Sequence, residues 1–138
     1  MTKHSATQLF VERPPKGKGV GVLVLHSWWG LTTPFRSYCH ELAKNGFVAA
    51  APDLFGGCTA KTIEEAKKLR SLRRSEPVYK TLMRNINELL TDNAVTDRQI
   101  GIVGFSMGGH WAVWLSQRPE LAIKSTVLYY AARSGNFA

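Results

Sequence analysis

The pentapeptide Gly104-Phe105-Ser106-Met107-Gly108 places a serine where its hydroxyl could act as a nucleophile. It follows the apolar run 100–103, which is typical of a buried strand, and it precedes the apolar segment 109–115, which favours a buried helix. A strand, Gly-x-Ser-x-Gly and a helix in this order form a nucleophile elbow. The sharp turn predicts a strained backbone at Ser106, and a Cβ at either flanking glycine would collide with the neighbouring backbone.

The chemistry expected of such a turn is acyl transfer. The helix after Ser106 would point its positive N-terminal end at an oxyanion that forms beside the serine hydroxyl. A bare Gly-x-Ser-x-Gly also occurs by chance, so an ordinary surface serine in a glycine-rich turn is the alternative. The strand and helix on either side of the motif argue against that alternative.

The composition predicts one domain with a real core. The chain has 138 residues, of which 44% are hydrophobic. No stretch is long and apolar enough to cross a bilayer, and residues 1–8 lack the apolar region of a secretory signal. The two cysteines, Cys39 and Cys58, are too few for a disulfide framework and lack metal-ligand spacing. We therefore expect reduced thiols in a cytoplasmic protein.

The formal net charge is +8 at neutral pH. A nucleic-acid patch or a well for anionic substrates would explain it. A solvated helix face is the favoured interpretation, because no nucleic-acid motif accompanies the charge. A further alternative is that part of the protein is missing from this sequence. The basic residues concentrate in one stretch of the chain, at Lys61, Lys67, Lys68, Arg70, Arg73, Arg74, Lys80 and Arg84.

The elements that would position Ser106 alternate between strands and helices. Strands are predicted over 7–12, at a sheet edge, and over 20–25, 47–51, 100–103 and 123–130. Helices are predicted from a Thr33 cap to residue 44, from Ile63 to an interruption at Pro77, from Val78 to Leu90, and over 109–115. This alternation predicts an α/β fold with a mostly parallel sheet flanked by helices. The pattern stops at the last strand, which predicts an uncovered face and an open sheet edge there.

Several segments in a fixed order resemble the dienelactone hydrolase family of the α/β-hydrolase fold. They are the strand and loop 22–31, the segment 41–47, the turn Pro52-Asp53-Leu54, the helix start 63–66 and the elbow 104–109. The resemblance covers nearly the whole chain. It implies hydrolysis of carboxylic esters or lactones through an acyl intermediate on Ser106, a reaction that needs no metal or organic cofactor. It also implies an oxyanion hole made by the backbone N–H groups of Trp28 and Met107.

Two positions depart from the family pattern. The best-known members carry a cysteine where this chain has Ser106, and a glutamate that pairs with that thiol at the position of Ser27. Both changes together favour an ordinary serine esterase or lactonase over a dienelactone hydrolase in the strict sense. For Trp28 and its neighbour Trp29, the alternative role is apolar cover over a pocket, which is compatible with donation of a backbone N–H.

A third departure concerns the remaining catalytic groups. In this fold the nucleophile is followed by an acid and then a histidine. After Ser106 the sequence contains no aspartate, and its single histidine is His110. We therefore expect that the triad acid and base are not present in this chain. The α/β-hydrolase domain over 1–138 would then be truncated after the strand that follows the elbow helix.

The other titratable candidates have simpler explanations. His110 would point along the elbow helix rather than back at Ser106. His26 is expected to fix the oxyanion loop through backbone hydrogen bonds, with service as a substitute base as the second possibility. Asp53 precedes the nucleophile, so it is expected to stabilise a turn rather than to act as the triad acid. His40 is assigned to a solvated helix face.

Two functions from different classes follow. The favoured one is a serine hydrolase of small ester or lactone substrates, weakly active as this chain. The alternative is a non-catalytic fragment, or a binding or assembly module that uses the open sheet edge and the basic helices. No membrane or nucleic-acid partner is expected. Self-association through the last strand is expected.

Overall fold

The computed structural model describes residues 9–72 and 76–131, which form a five-stranded sheet with helices on both faces. The strands are β1 (Phe10–Glu12), β2 (Gly21–Leu25), β3 (Val48–Ala51), β4 (Ile100–Phe105) and β5 (Ile123–Tyr129). The helices are α1 (Thr33–Lys44), α2 (Ile63–Leu72), α3 (Glu76–Thr91) and α4 (Met107–Ser116). The strand order is β1-β3-β2-β4-β5, with β1 antiparallel to β3 and the other neighbours parallel. The predicted α/β fold with a mostly parallel sheet is confirmed.

The central strand β2 is covered on both faces, as its continuous apolar run requires. Leu23 and Leu25 point to one face, where they pack with α3 and α4. Val22 and Val24 point to the other face, where they pack with α1. None of these four side chains is more than 7% exposed. Burial of each contributes about 1.5–3 kcal/mol, which holds the sheet between its two helical layers.

The start of α1 lies one residue earlier than the sequence indicates. Thr32 is the N-cap, with an extended backbone, and its carbonyl accepts the N–H groups of Phe35 and Arg36 at 3.1 and 3.3 Å. Thr33, the predicted cap, is instead the first helical residue, followed by Pro34. The Thr32 side chain makes no capping hydrogen bond. Pro34 fits because the first turn of a helix needs no intrahelical N–H donor.

Element ends around the serine also differ from the sequence prediction. Strand β4 continues to Phe105, and α4 begins at Met107 rather than Gly109. The last strand ends at Tyr129, because Tyr130 has a positive φ of 54° that β structure does not accommodate. The elbow is thus tighter than predicted, with one residue between strand and helix.

The basic segment forms two separate helices. Helix α2 covers Ile63–Leu72 and α3 begins at Glu76, so that Pro77 is the second residue of α3. A proline in the first turn is tolerated, and the predicted interruption therefore becomes a helix start. No helix in the described ranges is long and apolar enough to cross a membrane.

Both cysteines are free thiols. Cys39 on α1 is fully buried, and burial, followed by the charge of Glu12, raises its pKa to about 12. This thiol therefore stays protonated and behaves as a small apolar side chain. Cys58 is half-buried, in the loop before α2.

Strand β5 lies at one edge of the described sheet and is poorly covered. Val127, Leu128 and Tyr129 are 46%, 43% and 40% exposed, unlike the fully buried side chains of β2 and β3. A row of exposed apolar and aromatic side chains on an unpaired edge favours pairing with another chain. The uncovered last strand expected from the sequence is present in the described structure.

We expect the isolated chain to self-associate through β5, and Val127→Lys to reduce that association, because a charge on an edge strand opposes pairing. Ile63→Lys is the matched control, since Ile63 is an exposed apolar residue on α2, away from the edge. Light scattering after size exclusion measures the association. A wild-type monomer, or an equal effect of both substitutions, would contradict the prediction.

Candidate active site

Ser106 is the single residue between β4 and α4, and its backbone is strained. Its φ is 53° and its ψ is −109°, a conformation that costs a residue with a side chain roughly 1–3 kcal/mol. The Ser106 N–H donates to the Tyr129 carbonyl at 2.8 Å, which ties the turn to β5. The residue is exposed at the carboxyl end of the parallel strands. The strain predicted for an elbow serine is confirmed.

Close backbone contact explains both flanking glycines. A Cβ on Gly104 would lie 2.5 Å from the Gly108 carbonyl oxygen and 2.7 Å from the Gly109 Cα. A Cβ on Gly108 would lie 2.5 Å from the His26 carbonyl oxygen and would also collide with the Leu25 carbonyl. The start of α4 therefore rests directly on the end of β2, and side chains are excluded from this contact.

An aromatic cluster holds the strand side of the elbow. The Phe105 ring stacks on the Tyr129 ring, with centroids 5.0 Å apart, and meets the edges of Phe35 and Tyr38 at 5.2 Å. Burial, followed by a hydrogen bond with Tyr129, raises the pKa of Tyr38 to about 12. Phe105 thus ties the elbow to α1 on one side and to β5 on the other.

The loop after β2 forms a tight turn beside the elbow. Leu25 pairs with Gly104, so the two chain segments leave the sheet side by side. Within the turn, Gly30 N–H donates to the Ser27 carbonyl at 3.1 Å, and Trp29 N–H reaches the Ser27 Oγ at 3.4 Å. Ser27 is buried, and its carbonyl and hydroxyl oxygens accept hydrogen bonds within its own turn.

His26 is buried and hydrogen-bonded through both ring nitrogens. Nδ1 lies 2.6 Å from the Ser27 carbonyl oxygen, and Nε2 lies 2.9 Å from the Leu54 nitrogen. Since Leu54 N–H can only donate, Nε2 is the acceptor and Nδ1 carries the proton. Burial lowers the pKa of His26, while the bond to Ser27 and the charge of Asp53 act in the opposite direction. The interpretation of His26 as a loop-fixing residue is confirmed, and neither nitrogen is free to serve as the substitute base.

The two residues expected to form the oxyanion hole pack against one apolar cluster. Trp28 and Met107 both contact the α2 cluster, defined by Phe55, Ala60, Ala66 and Leu69. Among the described residues, neither the Trp28 nor the Met107 N–H has a backbone acceptor. For Met107 this follows from its place at the first position of a helix.

Contacts of other kinds involve the remaining candidates. The Asp53 carboxylate accepts the Phe55 N–H at 3.0 Å, as a turn-stabilising aspartate does. The His110 ring packs edge-on against Trp111, with centroids 5.5 Å apart. His40 is exposed on α1 beside Glu12. Within the described residues, no three His, Cys, Asp or Glu side chains form a group that could hold a metal ion.

Two contacts at the site could not be predicted from the sequence. The Arg70 guanidinium lies over the Trp28 ring, 5.5 Å from its centroid. The Cys58 carbonyl lies against Gly30, and a Cβ on Gly30 would be 2.6 Å from the Cys58 carbonyl oxygen. Gly30 also has a φ of 94°. Helix α2 and the Cys58 loop therefore support the loop that carries Trp28 from outside. The other described basic residues of α2, Lys67 and Lys68, are exposed, as a solvated face requires.

A mostly parallel sheet between helices, with a strained serine between a strand and a helix at its carboxyl edge, defines the α/β-hydrolase class. Comparison with known proteins gives the family. The model of the "Dienelactone hydrolase family" matches residues 8–136, and this chain belongs to that family.

Individual relatives agree with this assignment. The "Putative carboxymethylenebutenolidase" of Aquifex aeolicus is 33% identical over 122 residues, which cover 83% of this chain and 53% of that protein. "Protein usf" of Aquifex pyrophilus is 30% identical, with 84% and 53% covered. The chain thus spans about half the length of these curated relatives.

A solved structure shares the fold. The "Putative Dienelactone Hydrolase" of Klebsiella pneumoniae superposes with a TM-score of 0.77 at 22% identity, over 94% of this chain and 56% of that one. At this level of identity the likeness concerns the fold alone.

Gly108→Ala is expected to destabilise the protein by at least about 2 kcal/mol, because its methyl group meets the carbonyls of β2 and forces α4 outward. Gly101→Ala is the control, since the nearest atom to a Cβ there is the Ser125 Oγ at 3.4 Å, an ordinary contact. Urea unfolding measures both variants. Equal stability of the two would show that α4 does not rest on β2 as described.

A second prediction follows from the lowered pKa of His26. As pH falls below about 6.5, the unfolded chain takes up a proton at this ring that the folded chain resists. The free energy of unfolding should therefore fall on acidification, by up to about 1.4 kcal/mol per pH unit.

Urea unfolding between pH 8 and pH 5 measures this dependence. His26→Gln should flatten it, because a glutamine side chain does not titrate in this range. The prediction is wrong if His26→Gln leaves the slope unchanged.

Proposed function

We propose that this chain carries the nucleophile and the oxyanion hole of a hydrolase of carboxylic esters or lactones, with Ser106 as the nucleophile. The observation that carries the proposal is the exposed Ser106, at a φ of 53°, between a buried parallel strand and the N-terminus of α4. Proteins retain such strain where the position of one side chain matters. Membership in a hydrolase family supports the same assignment.

In the proposed reaction, Ser106 Oγ attacks the carbonyl carbon of the substrate and gives up its proton to a base. The carbonyl electron pair moves onto oxygen, and the oxyanion accepts hydrogen bonds from the Met107 and Trp28 N–H groups. Collapse breaks the ester C–O bond and leaves an acyl group on Ser106, and the departing alkoxide takes a proton. Water then hydrolyses the acyl-serine. In a lactone, the departing oxygen stays attached to the acyl chain.

The base and the acid are proposed to lie outside these 138 residues. His26 holds two backbone groups, and beyond His110 no histidine or aspartate follows Ser106 in the sequence. The part of the relatives' length that this chain does not span is the proposed source of both groups. Without an adjacent base, a serine hydroxyl loses its proton slowly near neutral pH.

The proposed substrates are small esters or lactones, and the proposed location is the cytoplasm. Serine in place of the family's cysteine, together with Ser27 in place of its glutamate, favours ordinary serine acyl chemistry. The surroundings of the site are largely apolar, since Trp28, Trp29 and Met107 border the α2 cluster. Such a lining suits the uncharged part of an acyl group.

A second function, assembly without catalysis, is favoured by the exposed side chains of β5. In that case partner binding would depend on the sheet edge, or on the exposed basic residues of α2 and hence on salt concentration. Ser106 would then be no more reactive than other exposed serines. Reactivity at Ser106 therefore separates the two functions.

We expect a fluorophosphonate probe to label Ser106 slowly, and added imidazole, as an external base, to accelerate the labelling. Ser116, an exposed serine at the end of α4 with an ordinary backbone, is the internal control, and Ser106→Ala is the background. Peptide mass spectrometry locates the adduct. Equal labelling of the two serines, or no loss in Ser106→Ala, would favour the assembly function.

A further inference from the structure

We propose that His26 is a positioning residue that fixes the direction of the Trp28 N–H by holding the carbonyl at the other end of the same peptide unit. The proposal rests on the assignment of that N–H as an oxyanion donor. His26 is buried and has no access to substrate, yet it would influence how the oxyanion is bound.

The first step is the geometry of the Ser27–Trp28 peptide. A trans peptide unit is planar, so its C=O and N–H point in opposite directions. The Ser27 carbonyl accepts Nδ1–H of His26 at 2.6 Å and Gly30 N–H at 3.1 Å. Both lone pairs of the oxygen are therefore used. Because the carbonyl is held from two sides, the Trp28 N–H is directed to the opposite side.

The second step is that His26 is itself immobile. Its Nε2 accepts Leu54 N–H at 2.9 Å, which fixes the ring to the loop after β3 and sets the Nδ1–H tautomer. The ring is fully buried between Phe35 and Phe55, with centroids 6.3 and 5.2 Å away. Burial lowers the pKa of His26, which supports the neutral form that this tautomer needs.

The third step is that the turn leaves this one N–H for a ligand. Trp29 N–H goes to the Ser27 Oγ and Gly30 N–H goes to the Ser27 carbonyl. Of the three successive N–H groups, that of Trp28 alone lacks an acceptor among the described residues. The turn thus satisfies the N–H groups of Trp29 and Gly30 and leaves that of Trp28 for a ligand.

Two amide substitutions divide the functions of the ring. In His26→Asn the amide nitrogen can occupy the place of Nδ1, so donation to the Ser27 carbonyl is kept and the Leu54 contact is lost. In His26→Gln the amide oxygen reaches the place of Nε2, so the Leu54 contact is kept and donation to Ser27 is lost. Each variant removes one hydrogen bond of the same buried ring, which makes them matched.

The readout is the rate of fluorophosphonate labelling of Ser106, because the phosphonyl oxygen occupies the oxyanion hole. Loss of one oxyanion donor costs about 10²–10³-fold in other serine hydrolases. We expect His26→Gln to label at least about tenfold more slowly than the wild type and His26→Asn to stay within about threefold of it. Equal losses in both variants, or losses that follow their unfolding midpoints, would overturn the proposal and leave Ser106 as the nucleophile. Absence of wild-type labelling above the Ser106→Ala background would instead reject the hydrolase function, and this proposal with it.

A measurement on the wild-type chain needs no variant to fold. Nitrogen-15 NMR of the His26 ring should show the Nδ1–H tautomer, and the Trp28 amide should exchange with solvent faster than the Trp29 and Gly30 amides. An Nε2–H tautomer would turn a lone pair toward the Ser27 carbonyl, and a protected Trp28 amide would mean that the N–H is already bonded. Either result overturns the proposal.

Discussion

The contact between the start of α4 and the end of β2 is the constraint on which the site depends. Gly108 lies against the Leu25 and His26 carbonyls, at a distance that excludes any side chain. This contact brings the N-terminus of α4 to the loop that carries Trp28, while pairing of Leu25 with Gly104 aligns the two strands beneath. A helix displaced by one methyl group would separate Met107 from that loop. Both glycines of the elbow are thus required by packing, in addition to the strained turn at Ser106.

Polar groups from several segments support the loop beside this contact. His26 joins the loop after β2 to the loop after β3, and Asp53 stabilises the second loop by accepting Phe55 N–H. From outside, Arg70 lies over Trp28, and the Cys58 carbonyl lies against Gly30. Because buried polar groups are costly when unpaired, these hydrogen bonds favour one arrangement of the loop over its alternatives. The loop that carries Trp28 is therefore placed by three separate parts of the chain.

Strand β5, in contrast to this well-supported loop, is poorly covered. Its backbone pairs with β4 from Ile123 to Tyr129, with one register shift, and its Tyr129 carbonyl and ring support the elbow. Yet Val127 and Leu128 are nearly half exposed, because no described element covers them. Strand β5 therefore supports Ser106 while being paired on one side only among the described elements. The conformation of Ser106 thus depends in part on how well this edge strand is held.

The sequence by itself determined the parts that rest on local pattern. Alternating apolar runs predicted the strands, the helices and a mostly parallel sheet, and Gly-x-Ser-x-Gly in its context predicted the strained Ser106. The pattern also predicted an uncovered last strand, and Val127, Leu128 and Tyr129 are exposed in the described structure. These inferences succeed because periodicity and glycine placement report backbone conformation directly. Helix starts were less well defined: Thr33 resembles a cap, but the extended backbone belongs to Thr32.

Only the tertiary structure decided what the side chains near Ser106 do. His26 could have been a base or a support, and the choice depended on Leu54, 28 residues away in the chain, whose N–H occupies Nε2. The Arg70 stack on Trp28 and the Phe105 cluster likewise join residues far apart in sequence. No periodicity records such contacts, because they arise when loops at the ends of neighbouring strands meet. The roles of single polar groups were therefore set by the packing of distant segments. The turn that holds Ser106, in contrast, could be predicted from the five consecutive residues 104–108.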